Sequence, residues 1–250
     1  MNTSDRGVLE QHIEEWARAR KSNISLRTFA WEIDAIRTAT GVGRFRNVLE
    51  IGCGSGLFLV TCVALGLADR GSGIDPAHGS AQSELVEGQT LAEKLALDIK
   101  LENQSMEGLL STDGPRNYDL VVFRGSLHHI YDRALTGTAD EGVVARCIED
   151  LARVRKRFLE TGGHMWIAEL TRPGAVYSFL YTIYQRAKGQ GRFDWDAKRT
   201  ANEWTEILVA AGMENILATR QPVNKFIGTP LENSLGMALS NVALIAAASR

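Results

Sequence analysis

Three glycines at alternate positions, Gly52, Gly54 and Gly56, follow a short apolar run that ends in the acid Glu50, in the stretch VLEIGCGSGLF. Glycine allows the backbone to turn tightly and to touch a ligand directly. If the apolar run is a strand and a helix begins near Leu57, free N–H groups at the helix start face the same ligand. The pattern predicts a nucleotide-like binding site, and the alternative is a tight turn that binds no ligand.

A second acid, Asp75, follows the next apolar segment in the sequence GIDP. An acid at the end of a second strand accepts hydrogen bonds from ribose hydroxyls. The dinucleotide fingerprint spaces its glycines differently, as G-x-G-x-x-G, and a pyrophosphate would gain nothing from Glu50. We therefore expect a ligand with a ribose and a positive tail, which disfavours an NAD oxidoreductase. Glu50 either contacts that ligand or only orients the glycine loop.

Two histidines and an acid follow later apolar segments and are candidates for proton chemistry. His128 and His129 come after YDLVVFRGSL, Glu169 lies at the end of HMWIAEL, and Arg172 follows that segment. A neutral imidazole at the ligand cleft could take a proton from a hydroxyl or an amine. The alternatives are a helix start with one packed histidine and, for Glu169 and Arg172, an ion pair within a loop.

These candidates are positioned by an alternation of strand and helix patterns. The predicted strands are residues 47–51, 71–75, 99–102, 118–123, 164–170 and 241–248, and the predicted helices are 9–40 with a break at 22–25, 57–68, 80–97, 141–159 and 202–211. Such alternation predicts a parallel sheet covered on both faces, with its ligand at the carboxyl ends of the strands. The aromatic segment 171–200 interrupts it and is interpreted as a helical flap, which either covers the ligand or packs at the sheet edge.

Composition limits the remaining possibilities. The chain has 250 residues and a formal net charge of −2, which gives no electrostatic footprint for nucleic acid. Cys53, Cys62 and Cys147 form no Cys-x-x-Cys pair, so we expect no zinc site and a reducing, cytoplasmic environment. The start lacks the apolar region of a signal peptide, and no uncharged run is long enough to span a membrane.

In this order, VLEIGCGSG, GIDP, YDLVVFRGSLHH and GGHMWIAEL resemble the class I S-adenosylmethionine-dependent methyltransferases. The resemblance covers residues 47–170, with a family-like ending over 201–250. It implies a Rossmann-like, doubly wound α/β fold whose seven-stranded sheet is mostly parallel with the last strand antiparallel. The expected organisation is an N-terminal helical cap over residues 1–46 and a methyltransferase domain over 47–250, with a lid insertion at about 171–200.

The resemblance also implies S-adenosyl-L-methionine as the cofactor. The matching positions are Glu50, Gly52, Cys53, Gly54, Gly56, Asp75, Pro76, Ser105, Met106 and Arg124. Glycine backbone would hold the methionine part, Asp75 the ribose, and Ser105 with Met106 the adenine. Relatives often carry an acid where Ser105 stands, so the contact with the adenine amino group would be weaker or water-mediated. Arg124 stands near the methionine end, where relatives usually contribute backbone.

The implied reaction is an in-line attack on the sulfonium methyl by an oxygen, nitrogen or carbon of an acceptor. Alignment can supply most of the rate, and a base (His128, His129 or Glu169) is needed only where the attacking atom carries a proton. The segment FRGSLHH lacks the Asn/Asp-Pro-Pro-Tyr element of nucleobase amino methyltransferases. We expect a small apolar or aromatic metabolite of secondary metabolism, no metal, no nucleic acid, no membrane, and a monomer or homodimer. The alternatives are a protein or RNA methyltransferase and a non-catalytic cofactor-binding protein.

Overall fold

Strands and helices alternate along the chain, as the sequence predicts. The computed structural model describes residues 2–22, 24–76, 81–112, 118–131, 140–172, 183, 186, 198–221 and 242–249. The helices are α1 (Thr3–Ala19), α2 (Leu26–Thr40), α3 (Leu57–Ala64), α4 (Ala81–Lys94), α5 (Met106–Ser111), α6 (Leu127–Tyr131), α7 (Asp140–Phe158) and α8 (Ala201–Ala210). The strands are β1 (Phe45–Ile51), β2 (Ala68–Asp75), β3 (Ile99–Asn103), β4 (Tyr118–Arg124), β5 (Leu159–Leu170), β6 (Met213–Arg220) and β7 (Val242–Ser249).

The strands form one seven-stranded sheet in the order β3-β2-β1-β4-β5-β7-β6. Strands β1 to β5 pair in parallel, and β7 runs antiparallel to both β5 and β6. This confirms the predicted sheet, including its antiparallel last strand. The strand order reverses between β1 and β4, so the crevice beyond their carboxyl ends is where a ligand is expected.

Two apolar cores cover the two faces of the sheet. Because strand side chains alternate, Val48 of β1 packs into the core with α3, whereas Leu49 packs on the other face with α7 and α8. Helices α1 and α2 join the first core through Leu9, Ile13, Phe29, Ile33 and Ile36. Both N-terminal helices therefore pack on the same face of the sheet as α3, the helix that follows the glycine loop.

Capping residues set the bounds of the helices that matter for the site. Ser25 accepts a hydrogen bond from the Thr28 backbone at the start of α2, and Gly41 ends that helix with φ +69°. At α8, the side chain of Thr200 accepts from the backbone of Glu203, and the Glu203 carboxylate accepts from the Thr200 backbone.

Several predicted boundaries were wrong, and one strand was missed. Helix α3 ends at Ala64 because a turn at Gly66, with φ +71°, leads directly into β2 at Ala68. Strand β5 begins at Leu159 and includes the Gly162–Gly163 pair, whereas the sequence predicted a strand over 164–170. Strand β6 lies at the sheet edge with most of its side chains at least partly exposed, so its sequence lacks the apolar signal of a buried strand.

Candidate active site

The glycine loop after β1 needs its glycines for different reasons. Gly52, Gly54 and Gly56 have φ angles of +76°, +54° and +70°, a region that side chains strongly disfavour. A Cβ at Gly52 would lie 2.3 Å from the Cβ of Ser126, and one at Gly56 would lie 2.6 Å from the Leu101 side chain. At Gly54, a Cβ would meet no described atom within 4 Å. Packing thus explains Gly52 and Gly56, whereas Gly54 faces open space.

Asp75 braces this loop from the end of β2. Its Oδ2 accepts a hydrogen bond of 2.9 Å from the Gly54 N–H, and the backbone N–H groups of Gly52 and Cys53 donate to the Ile74 carbonyl. The same carboxylate of Asp75 lines the cavity in front of the loop. One acid therefore both shapes the loop and faces the space where a ribose would lie.

Two adjoining cavities follow the carboxyl edge of the sheet. The first has a volume of about 590 Å³, and Glu50, Gly54, Asp75, Arg124 and His129 lie in its wall. The second, of about 450 Å³, has Ser105 and Met106 in its wall and shares Gly52, Pro76 and Ile130 with the first. Each is within the size range of small-molecule sites. The crevice brings together most of the residues that sequence analysis singled out.

Glu50 is the most unusual group in this wall. Its side chain is 2 % exposed, and its Oε2 has no hydrogen-bond partner among the described residues. Burial raises the pKa of Glu50 to about 8; Glu32 and Asp75 also raise it, whereas Arg124 and the Leu59 backbone lower it. A buried carboxyl oxygen without a hydrogen-bond partner is costly unless a ligand supplies one. Its chemistry suits a cationic donor of hydrogen bonds.

Arg124 belongs to a network that the sequence did not reveal. Its Nε donates to the Glu32 Oε2 at 3.0 Å, and the Trp166 indole donates to the Glu32 Oε1 at 3.1 Å. The guanidinium lies over the rings of Phe29 and Phe58, 4.9 and 5.2 Å from their centroids. Glu32 is fully buried on α2, so this N-terminal helix is bonded to the residue at the end of β4.

Glu169 and His128 form a buried pair at the start of α6. The Glu169 Oε1 accepts from the backbone N–H groups of Ser126 and Leu127, at 2.8 and 2.6 Å. Its Oε2 lies 2.7 Å from His128 Nδ1, and the His128 ring lies 4.0 Å from the ring of His129. Glu169 is fully buried, whereas His129 lines the larger cavity. These contacts give Glu169 the geometry of an orienting group.

The remaining candidates have local roles or fall outside the described residues. Burial raises the pKa of the Cys53 thiol well above its ordinary value, so this group stays protonated. Ser105 caps α5 by accepting from the Gly108 N–H at 3.0 Å. Arg172 donates to the carbonyl of Lys198, and the carboxylate of Glu169 is bonded to His128. The expected lid at 171–200 lies mostly outside the described residues.

A metal-ligand cluster and a membrane-spanning helix are both absent from the described part of the chain. No group of three or more histidine, cysteine, aspartate or glutamate side chains there is placed to hold a metal ion. No described helix combines the length and apolar character needed to cross a membrane.

Comparison with known proteins identifies the family of this chain and solved structures of similar fold. A family model described as a methyltransferase domain matches residues 13–220. No curated protein matches the sequence. Among solved structures, the Haemonchus contortus phosphoethanolamine N-methyltransferase 2 aligns with a TM-score of 0.55 at 15 % identity, over 87 % of this chain and 52 % of its own. Human N-acetylserotonin methyltransferase, solved with S-adenosylmethionine, gives 0.50 at 16 % identity, over 87 % and 51 %.

A Listeria monocytogenes protein, provisionally named an S-adenosylmethionine-dependent methyltransferase, gives a TM-score of 0.55 at 15 % identity over 90 % of this chain and 98 % of its own. The chain thus spans about half the length of the nematode and human enzymes and nearly all of the bacterial one. These likenesses show the fold, and the family match covers most of the sequence. The chain belongs to the methyltransferase domain family, and its fold is the one that its resemblance to the class I S-adenosylmethionine-dependent methyltransferases implied.

Proposed function

We propose that this chain transfers a methyl group from S-adenosylmethionine to a small apolar or aromatic acceptor. The observation that carries the proposal is the buried carboxyl of Glu50, whose Oε2 has no hydrogen-bond partner among the described residues, beside the left-handed glycine loop. S-adenosylmethionine, when bound, supplies a methyl group on a positively charged sulfur. Everything else in the proposal concerns what the residues of this chain do.

The residues present fit that cofactor. Glu50 would accept hydrogen bonds from its ammonium group, and the backbone of Gly52 and Gly54 would line its methionine part. Asp75 already accepts from Gly54 and borders the cavity, so it would accept from the ribose hydroxyls as well. The second cavity, with Ser105 and Met106 in its wall, has room and apolar surface for the adenine. Arg124 would face the carboxylate of the methionine part, with Cys53, Gly56 and Pro76 shaping the loop and wall.

The acceptor side of the larger cavity is aromatic and apolar. Trp16 of α1, Ile24, and Phe29 of α2 line the same cavity as the glycine loop. Arg20 stacks on Trp16 and pairs with Glu84 of α4 at 2.6 Å, which ties the N-terminal helices to the methyltransferase core. A concave, largely apolar wall suits a small acceptor better than a folded RNA or protein chain. This favours a metabolite acceptor.

Proton removal, where the acceptor needs it, is assigned to His129. This imidazole borders the larger cavity. His128 and Glu169 are then positioning residues, since the carboxylate bonds both the start of α6 and the His128 ring, which stacks on His129. A neutral imidazole in contact with an acceptor hydroxyl would take its proton as the methyl group is transferred. Acceptors that attack through carbon or a neutral amine would need alignment alone.

A labelled methyl donor tests the proposal. The protein is incubated with S-adenosylmethionine carrying a deuterated methyl group and a panel of phenols, amines and apolar metabolites, and the products are analysed by mass spectrometry. We expect a labelled small molecule with the wild type and far less with Asp75→Ala. Label found only in protein or RNA would replace the small acceptor with one of those classes. Tight binding of S-adenosylhomocysteine without turnover of any acceptor would favour a non-catalytic protein.

A further inference from the structure

Two buried carboxylates share one guanidinium beside the glycine loop. Glu32 and Glu50 are 0 % and 2 % exposed, and the Nε of Arg124 donates to Glu32. The second oxygen of Glu32 is bonded by the Trp166 indole, whereas the Glu50 Oε2 has no described partner. The cluster therefore has two acids for one cation, and Glu32 has hydrogen-bond partners on both oxygens whereas the Glu50 Oε2 has none among the described residues.

We propose that Glu32 is a positioning residue that keeps Arg124 occupied, so that Glu50 carries a proton in the free protein and releases it when the ammonium group of the cofactor binds. The inference rests on the proposed function, because it requires a ligand with that ammonium group. It adds to that function a residue of α2, outside the glycine loop, that determines how the amino-acid end is recognised.

The cost of burying charge indicates that Glu50 carries a proton in the free protein. With both carboxyls ionised, the cluster would hold a net negative charge away from water, which is strongly unfavourable. Arg124 is bonded to Glu32 and its guanidinium lies over two aromatic rings; within the described contacts it makes no hydrogen bond or ion pair with Glu50. A neutral Glu50 removes the excess charge, and the rise of its pKa by burial agrees with this state.

The other groups around Glu50 do not remove the need for that proton. The titratable groups that act on it or are acted on by it are Arg124 of β4, Glu32 of α2, Asp75 of β2, and the thiols of Cys53 and Cys62; the Leu59 backbone also donates a hydrogen bond to it. Arg124 is the single cation in this set, and it is already bonded to Glu32. The thiols stay neutral because burial raises the pKa of each.

The binding step balances in charge and in protons. Before binding, Glu32 is negative, Arg124 is positive and Glu50 is neutral, so the cluster is neutral. On binding, the Glu50 O–H bond breaks and its proton leaves to the solvent, while the ammonium group keeps its protons and donates hydrogen bonds to the new carboxylate. The new Glu50 carboxylate and the ammonium group cancel each other, so this pair adds no net charge to the cluster. A ligand with no ammonium group should leave the Glu50 carboxyl protonated.

Calorimetry in two buffers of different ionisation enthalpy counts the protons released. At pH 7, S-adenosylhomocysteine should release about 0.9 proton, since a group with a pKa of about 8 is roughly nine-tenths protonated there. Methylthioadenosine shares the adenosine and the thioether but lacks the amino-acid end, so it should release none. Because binding releases a proton, the affinity for S-adenosylhomocysteine should rise close to tenfold from pH 6 to pH 7. Glu50→Gln should abolish both the release and the pH dependence.

Glu32→Gln tests the positioning role. Without the Glu32 charge, Arg124 is free to pair with Glu50, which is then ionised before any ligand arrives. We expect proton release to fall below about one third of the wild-type value and S-adenosylhomocysteine to bind about tenfold more weakly, with methylthioadenosine unchanged. A merely structural role would weaken both ligands and leave the proton count intact. Glu84→Gln, which changes another acid of the same cavity, is the matched control and should keep the wild-type count.

The outcomes separate this inference from the proposed function. No binding of S-adenosylhomocysteine by the wild type would overturn both. Binding without proton release would overturn the inference alone. Should Glu32→Gln fail to fold, Glu32→Asp keeps the charge on a shorter side chain, and we expect an intermediate proton count. A wild-type count in whichever of these two variants folds would overturn the role of Glu32.

Discussion

The buried carboxyl of Glu50 should make the unliganded protein less stable as the pH rises. Its pKa is about 8 in the folded protein against an ordinary value of 4.5. A carboxyl with a raised folded-state pKa contributes stability that is full below about pH 4.5 and is lost as the pH rises through 8. Each pKa unit corresponds to about 1.4 kcal/mol, so the free energy of unfolding should fall by about 3–4 kcal/mol between pH 5 and pH 8.

Glu50→Gln removes this titration and keeps the shape of the side chain. Urea unfolding of wild type and variant at pH 5, 6, 7 and 8, without ligand, gives the difference in stability at each pH and cancels the titration of other groups. We expect the variant to gain about 3 kcal/mol on the wild type from pH 5 to pH 8. Glu84→Gln, at a partly exposed acid, should show no such trend. A difference between Glu50→Gln and wild type that is constant with pH would refute the reasoning.

The loop and the histidines give further predictions. Gly54→Ala and Gly41→Ala both put a methyl group at a left-handed position with no described atom nearby, so each should lower stability by about 1–2 kcal/mol in urea unfolding. Only Gly54→Ala should also weaken S-adenosylhomocysteine binding, by at least tenfold as measured by calorimetry. Equal affinity in the two variants would show that the loop backbone does not contact the ligand. His129→Ala should lower turnover of a hydroxyl acceptor by about 10²–10⁴ with cofactor binding unchanged. His128→Ala and Glu169→Gln should instead lower the unfolding midpoint. Turnover losses below tenfold in both histidine variants would exclude a histidine general base and indicate that alignment of the reactants is the mechanism.

The sequence predicted the features that depend on neighbouring residues. The apolar run, Glu50 and the alternate glycines lie within a few positions of each other, so their turn could be recognised without knowing the rest of the fold. Asp75 was found because the end of a second parallel strand must lie beside the end of the first. The α/β fold followed from the alternation of strand and helix patterns.

The features that the sequence missed depend on contacts between distant segments. Glu32 and Arg124 are 92 positions apart, and only packing of α2 on the sheet brings them together. The available signal was an acid on the buried face of α2, close to Phe29, Ile33 and Ile36, which indicates a partner without identifying it. The role of Glu169 was also hidden, since its bonds to the start of α6 exist only once β4 and β5 pair.

Calorimetric titration with S-adenosylhomocysteine, compared with NAD, tests the central claim most directly. We expect one molecule of S-adenosylhomocysteine to bind per chain and NAD to give no binding heat. Asp75→Ala should weaken that binding by about 1–3 kcal/mol, the scale of a lost charge-assisted hydrogen bond. Tight binding of NAD with none of the adenosyl ligand, or equal affinity in wild type and Asp75→Ala, would contradict the account.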